Sequence, residues 1–370
     1  MEHAWIAGKP AALAAALAEA GKLLGSSRYP LIAGLGTDVA GARAAIALAE
    51  RTGAVIDHMN SGELLRDLDV MRSSGVMLTT PGEARLRGDT LLLVGPRLVE
   101  AWPELPERLF GSLRPTGAGA VERRIFWLCP GDDAEIPAAG GRKTVTFGKE
   151  VKDLPALLAA LRARVAGRST GKVGVSGKVL DEVASALKAA RFGVAVWSAT
   201  ALDALAIEML CGMVNELNAK TRFSSLPLAP PDNGVGVLQT CGWITGFPMR
   251  TGYGRGHATH DPWVFDSRRL VRSGETDCVV WISAYRAVAP EWRESPPTIA
   301  LARRGTTFRA PPSVHIEVGC PGIDHAAVHH LASTGTLAPV AAAQSSGTIS
   351  AAEALTRITS SLPDKEARPC

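Results

Sequence analysis

The chain has 370 residues, 46% of them hydrophobic, and a formal net charge of +4. This length allows two to three structural units with a sizeable core, while so dilute a positive charge does not indicate nucleic-acid binding. No apolar run is long enough to span a membrane, and the first residues lack the pattern of a secretory signal. The six cysteines have no paired spacing, which argues against a zinc knuckle, an iron–sulfur cluster or a disulfide framework. Such cysteine usage favours a reducing cytoplasm.

The first half of the chain alternates helical and strand patterns. Residues 9–24 predict an amphipathic helix, with Pro10 in its first turn. A buried strand is predicted at 31–33, and Thr37 or Asp38 is suited to cap the helix that follows it. Further strands are predicted at 55–57, 91–94, 125–129 and 144–147. Because these runs are continuously apolar, they indicate parallel strands covered on both faces.

The second half repeats this alternation. A strand is predicted at 194–197, and after a Pro/Gly-rich crossing at 227–236 further strands are predicted at 278–282, 298–301 and 314–318. Helices are predicted at 152–165, 178–190 and 202–219, the last of them capped by Ser198 or Thr200. The tail after about residue 340 predicts a weak terminal helix with a frayed end. These patterns favour an α/β fold with two doubly wound, mostly parallel units.

The predicted elements divide the chain into four parts. An N-terminal helix takes residues 1–25, and a discontinuous first lobe takes 26–150 together with about 265–330. The second lobe takes 151–264, and a C-terminal segment takes 331–370.

Several segments carry a resemblance to a known family. They are the strand–turn–helix unit at 30–57, the turn at 92–97, the Gly/Trp-rich crossing at 239–248 with Arg255-Gly256 and Asp261-Pro262 after it, and Pro321-Gly322-Ile323-Asp324. In this order they resemble the catalytic B subunit of formylmethanofuran dehydrogenase, a molybdopterin or tungstopterin oxidoreductase. The resemblance covers roughly residues 8–330 and implies the two-lobed α/β fold of molybdopterin oxidoreductases.

The chain departs from that family at the metal chemistry. The family's N-terminal cluster of four cysteines, which holds an iron–sulfur centre, has no counterpart, since no cysteine precedes Cys129. The family's metal-ligating cysteine follows the first strand–helix–strand unit, where this chain reads Asp57-His58-Met59-Asn60-Ser61-Gly62-Glu63. Neither Met59 nor Ser61 supplies the thiolate that a dithiolene-bound metal takes from the protein. The resemblance therefore implies degenerate pterin and iron–sulfur sites, no metal or cofactor bound by this chain, and no catalytic residue.

This combination resembles the B subunit of the formyltransferase/hydrolase complex of methylotrophic bacteria, a cofactor-less relative of the dehydrogenase B subunit. The resemblance implies a non-catalytic assembly subunit in cytoplasmic one-carbon metabolism (formaldehyde oxidation). Its partners would be an amidohydrolase subunit, a formyltransferase subunit and a further small subunit, with no nucleic acid and no membrane. The complex would convert formyl-tetrahydromethanopterin, through a formylated methanofuran-type carrier, to formate.

Two other functions are consistent with the residues. The first is a pterin- or nucleotide-binding oxidoreductase subunit of the formylmethanofuran dehydrogenase type, with its ligand at the turns after Val94 and Ile282, where strands end in doubly wound folds. The second is a stand-alone small-molecule-binding protein.

Two local motifs invite interpretation as binding sites. The turn Gly34–Gly41 suggests a dinucleotide site, but its spacing does not fit G-x-G-x-x-G and Asp38 lies where a phosphate would bind, so a tight turn is favoured. His257-Ala258-Thr259-His260-Asp261 offers three metal donors within a glycine-rich stretch. Because metal sites need ligands on rigid elements, a hydrogen-bonded loop or the remnant of a pterin-binding loop is favoured over zinc.

Charged and aromatic residues late in the chain point to contacts with other molecules. A basic stretch comprises Arg250, Arg255, Arg268, Arg269 and Arg272, which by default form a solvated face. Within and beside it, Arg250, Arg255 and His257 are candidate contacts to an acidic partner or to the polyglutamyl tail that the resemblance implies for the furan carrier. Aromatic residues suited to the core or to partner contacts are Trp243, Phe247, Trp263, Trp281 and Trp292. His329-His330 is predicted to lie on a helix surface.

Overall fold

The computed structural model describes residues 3–110, 123–135, 144–293, 296–344 and 346–362. Cys370 and the expected frayed tail lie outside these ranges. No helix in the described part of the chain is both long and apolar enough to cross a membrane. The chain forms two compact units: unit 1 comprises Met1–Gly62, Pro231–His330 and Leu337–Cys370, and unit 2 comprises Glu63–Pro230 and Leu331–Thr336.

The elements alternate along the chain. The strands are β1 (Ala4–Ile6), β2 (Lys9–Pro10), β3 (Pro30–Gly36), β4 (Val55–Ile56), β5 (Thr90–Val94), β6 (Arg124–Leu128), β7 (Thr144–Phe147), β8 (Gly193–Trp197), β9 (Phe223–Pro227), β10 (Thr251–Gly252), β11 (Thr259–His260), β12 (Cys278–Ser283), β13 (Thr298–Ala302), β14 (Val314–Glu317), β15 (Ala327–Leu331) and β16 (Thr336–Val340). The α-helices are α1 (Leu13–Ser26), α2 (Val39–Thr52), α3 (Ser61–Ser74), α4 (Pro81–Arg87), α5 (Leu98–Ala101), α6 (Leu105–Leu109), α7 (Leu154–Val165), α8 (Gly177–Lys188), α9 (Ala204–Leu217), α10 (Gly234–Thr245), α11 (Ser267–Arg272) and α12 (Ala351–Ser361).

Unit 1 is built on a mixed sheet. Its strand order is β11-β10-β4-β3-β12-β13-β14-β1-β2, in which β4, β3, β12, β13 and β14 run parallel and the outer strands pair antiparallel. The chain passes from β3 outward to β4 on one side and later from β12 outward to β14 on the other. The strand order therefore reverses between β3 and β12.

The central strands of unit 1, β3 and β12, lie in its hydrophobic core. Leu31 and Ala33 of β3 pack with Trp281 of β12 and with Leu270 and Val271 of α11. Alternate residues of a strand point to opposite faces, and both strands are buried throughout, so the sheet is covered on both sides. Helix α12 packs against both α1 and α2, while α1 also contacts β14 and α2 contacts β3.

Unit 2 is built on an all-parallel sheet in the order β7-β6-β5-β8-β9. Its two faces carry separate hydrophobic clusters, one formed with α7, α8 and α9 and the other with α4, α5 and α6. Here the strand order reverses between β5 and β8. The predicted parallel strands covered on both faces are thus present in both units.

Several element boundaries differ from the sequence expectation. The first helix begins at Leu13, because residues 4–10 form β1 and β2, and Pro10 lies in β2. Helix α9 is capped by Asp203, whose carboxylate accepts a hydrogen bond from the backbone N–H of Ala206, and not by Ser198 or Thr200. The pair His329-His330 lies in β15, not on a helix.

The division of the chain also differs from the expected one. Strands β5, β6 and β7, expected in the first lobe, belong to unit 2, because β5 pairs along its whole length with β8. Residues 231–264, expected in the second lobe, belong to unit 1, where α10 packs against α2 and β10 pairs with β4.

Candidate functional site

The points where the strand order reverses are the natural candidate sites of both units. In open α/β sheets, ligands bind beyond the carboxyl ends of the strands where that order reverses. In unit 1 these ends lead into Thr37-Asp38 after β3 and Ala284-Tyr285-Arg286 after β12. The turn after β4, residues 57–60, lies next to them because β4 pairs with β3.

Asp38 occupies the position at the start of α2 that phosphate takes in dinucleotide-binding proteins. Its carboxylate Oδ1 accepts a hydrogen bond of 2.9 Å from the backbone N–H of Gly41, and the side chain is buried. A carboxylate here satisfies the free N–H groups and the positive end of the helix dipole. The protein therefore supplies its own anion at this helix, as the tight-turn interpretation expects.

His58 lies buried in the turn after β4, in the stretch where the resemblance places a metal-ligating cysteine. Its Nδ1 accepts a hydrogen bond of 3.0 Å from the backbone N–H of Asn60, which leaves the proton on Nε2. Nε2 in turn donates to the backbone oxygen of Asp232 at 3.1 Å. Burial lowers the pKa of His58 to about 4, so the ring is neutral at physiological pH.

The loop that precedes α10 completes this buried polar cluster. Asp232 accepts hydrogen bonds of 3.0 and 2.9 Å from Nε of Arg286, and a further one from its terminal nitrogen. Asn233 donates to the backbone oxygen of Thr37 at 2.8 Å, and its side-chain oxygen accepts from the backbone N–H of His330 at 2.8 Å. Asp232 and Asn233 both have positive φ, 59° each, a conformation that Asp and Asn tolerate better than most residues. Internal hydrogen bonds thus engage the side chains of His58, Asp232 and Asn233 beyond β3 and β4.

A second buried carboxylate holds Arg250. Asp57 accepts a hydrogen bond of 2.9 Å from the backbone N–H of Ser267, and its Oδ1 lies 3.6 Å from Nε of Arg250. The guanidinium also pairs with Asp266 at 2.5 Å and donates to the backbone oxygen of Pro262. Burial raises the pKa of Asp57, and Arg250 opposes this shift.

The three candidate contact residues therefore lie in different environments. Arg250 has its charge engaged inside unit 1, whereas Arg255 and His257 are exposed in the loop between β10 and β11. Of the three, only Arg255 and His257 are placed to meet another molecule.

In unit 2, α3 lies against the segment that follows β8. Glu63 accepts a hydrogen bond of 2.8 Å from the hydroxyl of Thr200. Arg66 donates to the backbone oxygens of Ala199 and, at 2.8 Å, of Leu202. Asp67 accepts from Nε1 of Trp197 at 3.0 Å, and burial raises the pKa of this carboxyl to about 6.

The donor set does not fit a dithiolene-bound metal. The described cysteines are all buried, and burial raises the pKa of their thiols, to about 11 for Cys129 and to about 12 for Cys211, Cys241 and Cys278. Such thiols resist becoming the thiolates that ligate metals. Among the described residues no group of three or more His, Cys, Asp or Glu side chains could hold a metal ion.

Two of the three donors of the candidate zinc motif, His260 and Asp261, are engaged in local hydrogen bonds. His260 Nδ1 lies 2.9 Å from the backbone oxygen of Arg250. Asp261 accepts from the backbone N–H groups of Trp263 and Val264 at 2.9 and 2.8 Å, and these bonds lower the pKa of its carboxyl. His260 and Asp261 therefore make hydrogen bonds to backbone groups of their own and the neighbouring segment, whereas His257 is exposed.

The sequence interpretation missed Asp232, Asn233 and Arg286. A local signal was present, because Pro231-Asp232-Asn233-Gly234 has the composition of a turn that begins a helix. The pairing of Asp232 with Arg286 carries no such signal, since it depends on a loop reaching the end of β12 across the fold.

The fold and the candidate site define the class of this protein. It is an α/β protein of two doubly wound units, and in each unit side chains of the protein itself form hydrogen bonds where the strand order reverses.

No family model matches the sequence. The chain is 33% identical over 321 residues to the B subunit of the formyltransferase/hydrolase complex (Fhc) of Methylorubrum extorquens, covering 86% of this chain and 85% of that one. The X-ray crystal structure of the FhcABCD complex from that organism, in complex with methylofuran, contains a chain that matches with a TM-score of 0.85 and 34% identity, over 96% of this chain and 98% of that one.

The chain therefore belongs to the family of formyltransferase/hydrolase complex B subunits, which confirms the resemblance found in the sequence. More distant relatives are the B subunits of tungsten-containing formylmethanofuran dehydrogenase 2 from Methanocaldococcus jannaschii, 27% identical over 285 residues, and Methanococcus maripaludis, 25% identical over 284 residues. Each match spans 63% of the relative's length.

Proposed function

We propose that this chain is the B subunit of a cytoplasmic formyltransferase/hydrolase complex and that its contribution is architectural. The complex transfers the formyl group of formyl-tetrahydromethanopterin to a methanofuran-type carrier and hydrolyses the formylated carrier to formate. In this proposal the chemistry belongs to an amidohydrolase subunit and a formyltransferase subunit, and this chain, with a further small subunit, holds the assembly together.

The environment of His58 carries the architectural part of the proposal. A metal ligand needs a lone pair directed at the metal, but Nδ1 of His58 directs its lone pair at the N–H of Asn60, and Nε2 carries a proton. The surrounding residues Asp57 and Asp232 are likewise paired with Arg250 and Arg286. These contacts support a structural role for the site and not a role in redox chemistry.

Purification of the whole complex tests the proposal. A tag on this chain is expected to recover the amidohydrolase and formyltransferase subunits in fixed stoichiometry, together with formate release from formyl-tetrahydromethanopterin when the carrier is present. Elemental analysis and pterin fluorescence are expected to show neither molybdenum, tungsten nor pterin in proportion to this chain. Recovery of the chain alone, or reduction of a dye by a formylated carrier that depends on this chain, would contradict the proposal.

The distant relatives favour one alternative, a pterin-binding oxidoreductase subunit, because two of them are subunits of tungsten-containing dehydrogenases. The same elemental and pterin analysis separates the two functions. One molybdenum or tungsten per chain would establish the alternative.

We further propose that Arg255 and His257 contact an acidic group, either on a neighbouring subunit or on a polyglutamyl tail of the carrier. Both side chains are exposed on one loop, and such charge contacts weaken as salt screens them. A variant with Arg255→Gln and His257→Gln is expected to lower formyl flux through the complex and to reduce its salt dependence. Arg191→Gln, an exposed arginine of unit 2, is the matched control and is expected to leave the flux unchanged.

A further inference from the structure

An exposed aromatic surface lies at the open end of the β10–β11 hairpin. Trp243 and Trp263 are 69% and 71% exposed, and Ile244, Phe247 and Val264 are also exposed. We name these five residues the aromatic surface. Single exposed apolar residues are ordinary, but several on adjoining segments indicate a contact site.

Backbone and ring contacts join the two segments that form the aromatic surface. Residues 247–250 precede β10 and residues 261–264 follow β11, and the backbone N–H of Asp261 donates to the oxygen of Arg250 at 3.2 Å. The ring of Phe247 stacks on that of His260, with centroids 6.2 Å apart. Thr245 Oγ1 accepts a hydrogen bond of 3.0 Å from the backbone N–H of Phe247, which ties the end of α10 to the same turn.

The most exposed tryptophan is held in place despite its exposure. Its backbone N–H donates to Asp261 at 2.9 Å, and the guanidinium of Arg269 lies 5.0 Å from the centre of the Trp263 ring. Arg269 is itself fixed by two hydrogen bonds to Glu275. An aromatic side chain ordered before binding loses little entropy when it binds, which is the property of an interface anchor.

The charges around the aromatic surface narrow the choice of occupant. Residues 233–249 contain no charged side chain, and Arg250 is neutralised by Asp57 and Asp266. Arg255 and His257 lie at the closed end of the hairpin, beyond its two-residue strands. The surface is therefore apolar with a cationic end, and it matches an apolar surface flanked by carboxylates.

A second copy of this chain does not offer that match. The only acidic residue between positions 233 and 264 is Asp261, and its carboxylate is engaged by two backbone N–H groups. In a two-fold symmetric contact each copy presents the same surface to the other, so the cationic ends would meet carboxylates that are already paired within the chain, since Asp266 pairs with Arg250 and Glu275 with Arg269.

We propose that the aromatic surface is the docking site for another subunit of the complex, one that presents an apolar surface with carboxylates at one edge. This inference rests on the proposed function. Two tryptophans and three further apolar side chains bury a few hundred Å², at roughly 150–250 Å² for each tryptophan. That area forms the centre of an interface of about 800 Å² per subunit, with Arg255 and His257 at its rim.

Oxidative footprinting of the wild-type protein tests the proposal without any variant. Hydroxyl-radical oxidation of Trp243 and Trp263 is measured in the isolated chain and in the purified complex. At least tenfold slower oxidation in the complex is expected for both, whereas the buried Trp197 is protected in each sample. Equal oxidation of Trp243 and Trp263 in both samples overturns the proposal.

Affinity measurements with reconstituted subunits identify the occupant. Trp243→Ala and Trp263→Ala are each expected to raise the dissociation constant about 30-fold, as is usual for a central aromatic anchor. Leu86→Ala is the control, because Leu86 is 70% exposed but lies in unit 2, and an unchanged affinity is expected. Arg255→Glu is expected to weaken binding most at low salt.

The other outcomes are equally decisive. A dimer of the isolated chain with both tryptophans protected assigns the surface to a second copy, and protection by the carrier alone assigns it to the polyglutamyl tail; either result overturns the proposal. If the wild-type chain joins no other subunit, the proposed function fails. If it assembles fully while the aromatic surface stays oxidisable, only the present inference fails.

Discussion

His58 has no place for a second proton in the folded chain. A proton on Nδ1 would face the backbone N–H of Asn60, and the ring is buried, which lowers its pKa to about 4. An unfolded histidine has a pKa of about 6.5, so the unfolded chain takes up the proton first as the pH falls. The contribution of His58 to stability is therefore constant above about pH 7 and decreases from about pH 6.5 to pH 4, by about 3 kcal/mol in total.

Urea unfolding at a series of pH values measures this effect. His58→Asn keeps an acceptor for the N–H of Asn60 but does not titrate. The variant is expected to be less stable at pH 7 and to lose less stability than the wild type between about pH 6.5 and 4. If the free energy of unfolding of the two proteins changes with pH in parallel, protonation of His58 does not destabilise the folded chain.

The pair Asp232–Arg286 is asymmetric, because the Asp232 side chain is fully buried while that of Arg286 is 49% exposed. Arg286→Gln leaves an uncompensated charge in the interior and is expected to destabilise the protein by about 3 kcal/mol. Asp232→Asn leaves an arginine that turns toward water and is expected to cost clearly less, about 1 kcal/mol. Thermal unfolding of both variants at pH 7 checks the order, and a larger loss for Asp232→Asn would contradict it.

At the scale of elements, the bend in β3 depends on a glycine. Gly34 has a φ of 78°, and a Cβ at this position would lie 2.5 Å from the backbone oxygen of Ile282. Gly34→Ala is therefore expected to destabilise unit 1 by about 3 kcal/mol or more, since neither backbone gives way cheaply. Gly242→Ala is the matched control, because it lies within α10 with open space around it, and a gain of about 0.5–1 kcal/mol is expected. Denaturant titrations compare the two, and a neutral Gly34→Ala would exclude the clash.

The long parallel strands could be predicted from the sequence because burial on both faces makes their residues continuously apolar. The strand predicted at 91–94 is β5 (Thr90–Val94), and the one predicted at 194–197 is β8 (Gly193–Trp197), both buried along their whole length. Strands of two residues, such as β4 or β10, have no periodicity to detect. Strand β9 escaped prediction because its sequence, Phe-Ser-Ser-Leu-Pro, carries only two strongly apolar residues.

The candidate site was predictable only in part. The absence of a thiol at 57–63 and the capping role of Asp38 are local properties that the sequence carries. The contacts of His58 with Asp232, and of Asp232 with Arg286, join residues 174 and 54 positions apart. Such contacts follow from which strands lie side by side, and the expected division of the chain placed Asp232 in a different lobe.

At the scale of the whole molecule, the thiols report on folding. All five described cysteines are buried in the native chain, so they are expected to react with a thiol reagent only when the protein opens. Titration with Ellman's reagent is expected to show at most one fast thiol in native buffer, because the five described cysteines are buried, and all six in denaturant. A second fast thiol in native buffer would reveal local opening near one of the buried cysteines.

The division into units also sets the order in which the two sheets can be completed during synthesis. Unit 2 is nearly contiguous, from Glu63 to Pro230, whereas unit 1 needs residues on both sides of that stretch. On the ribosome the parallel sheet of unit 2 is completed first, while the first 62 residues wait for β12, which pairs with β3 and lies more than 200 positions further along. During that interval the apolar β3 has no neighbour across the strand-order reversal, so slowed translation beyond Pro230 would expose nascent chains to chaperones and to aggregation.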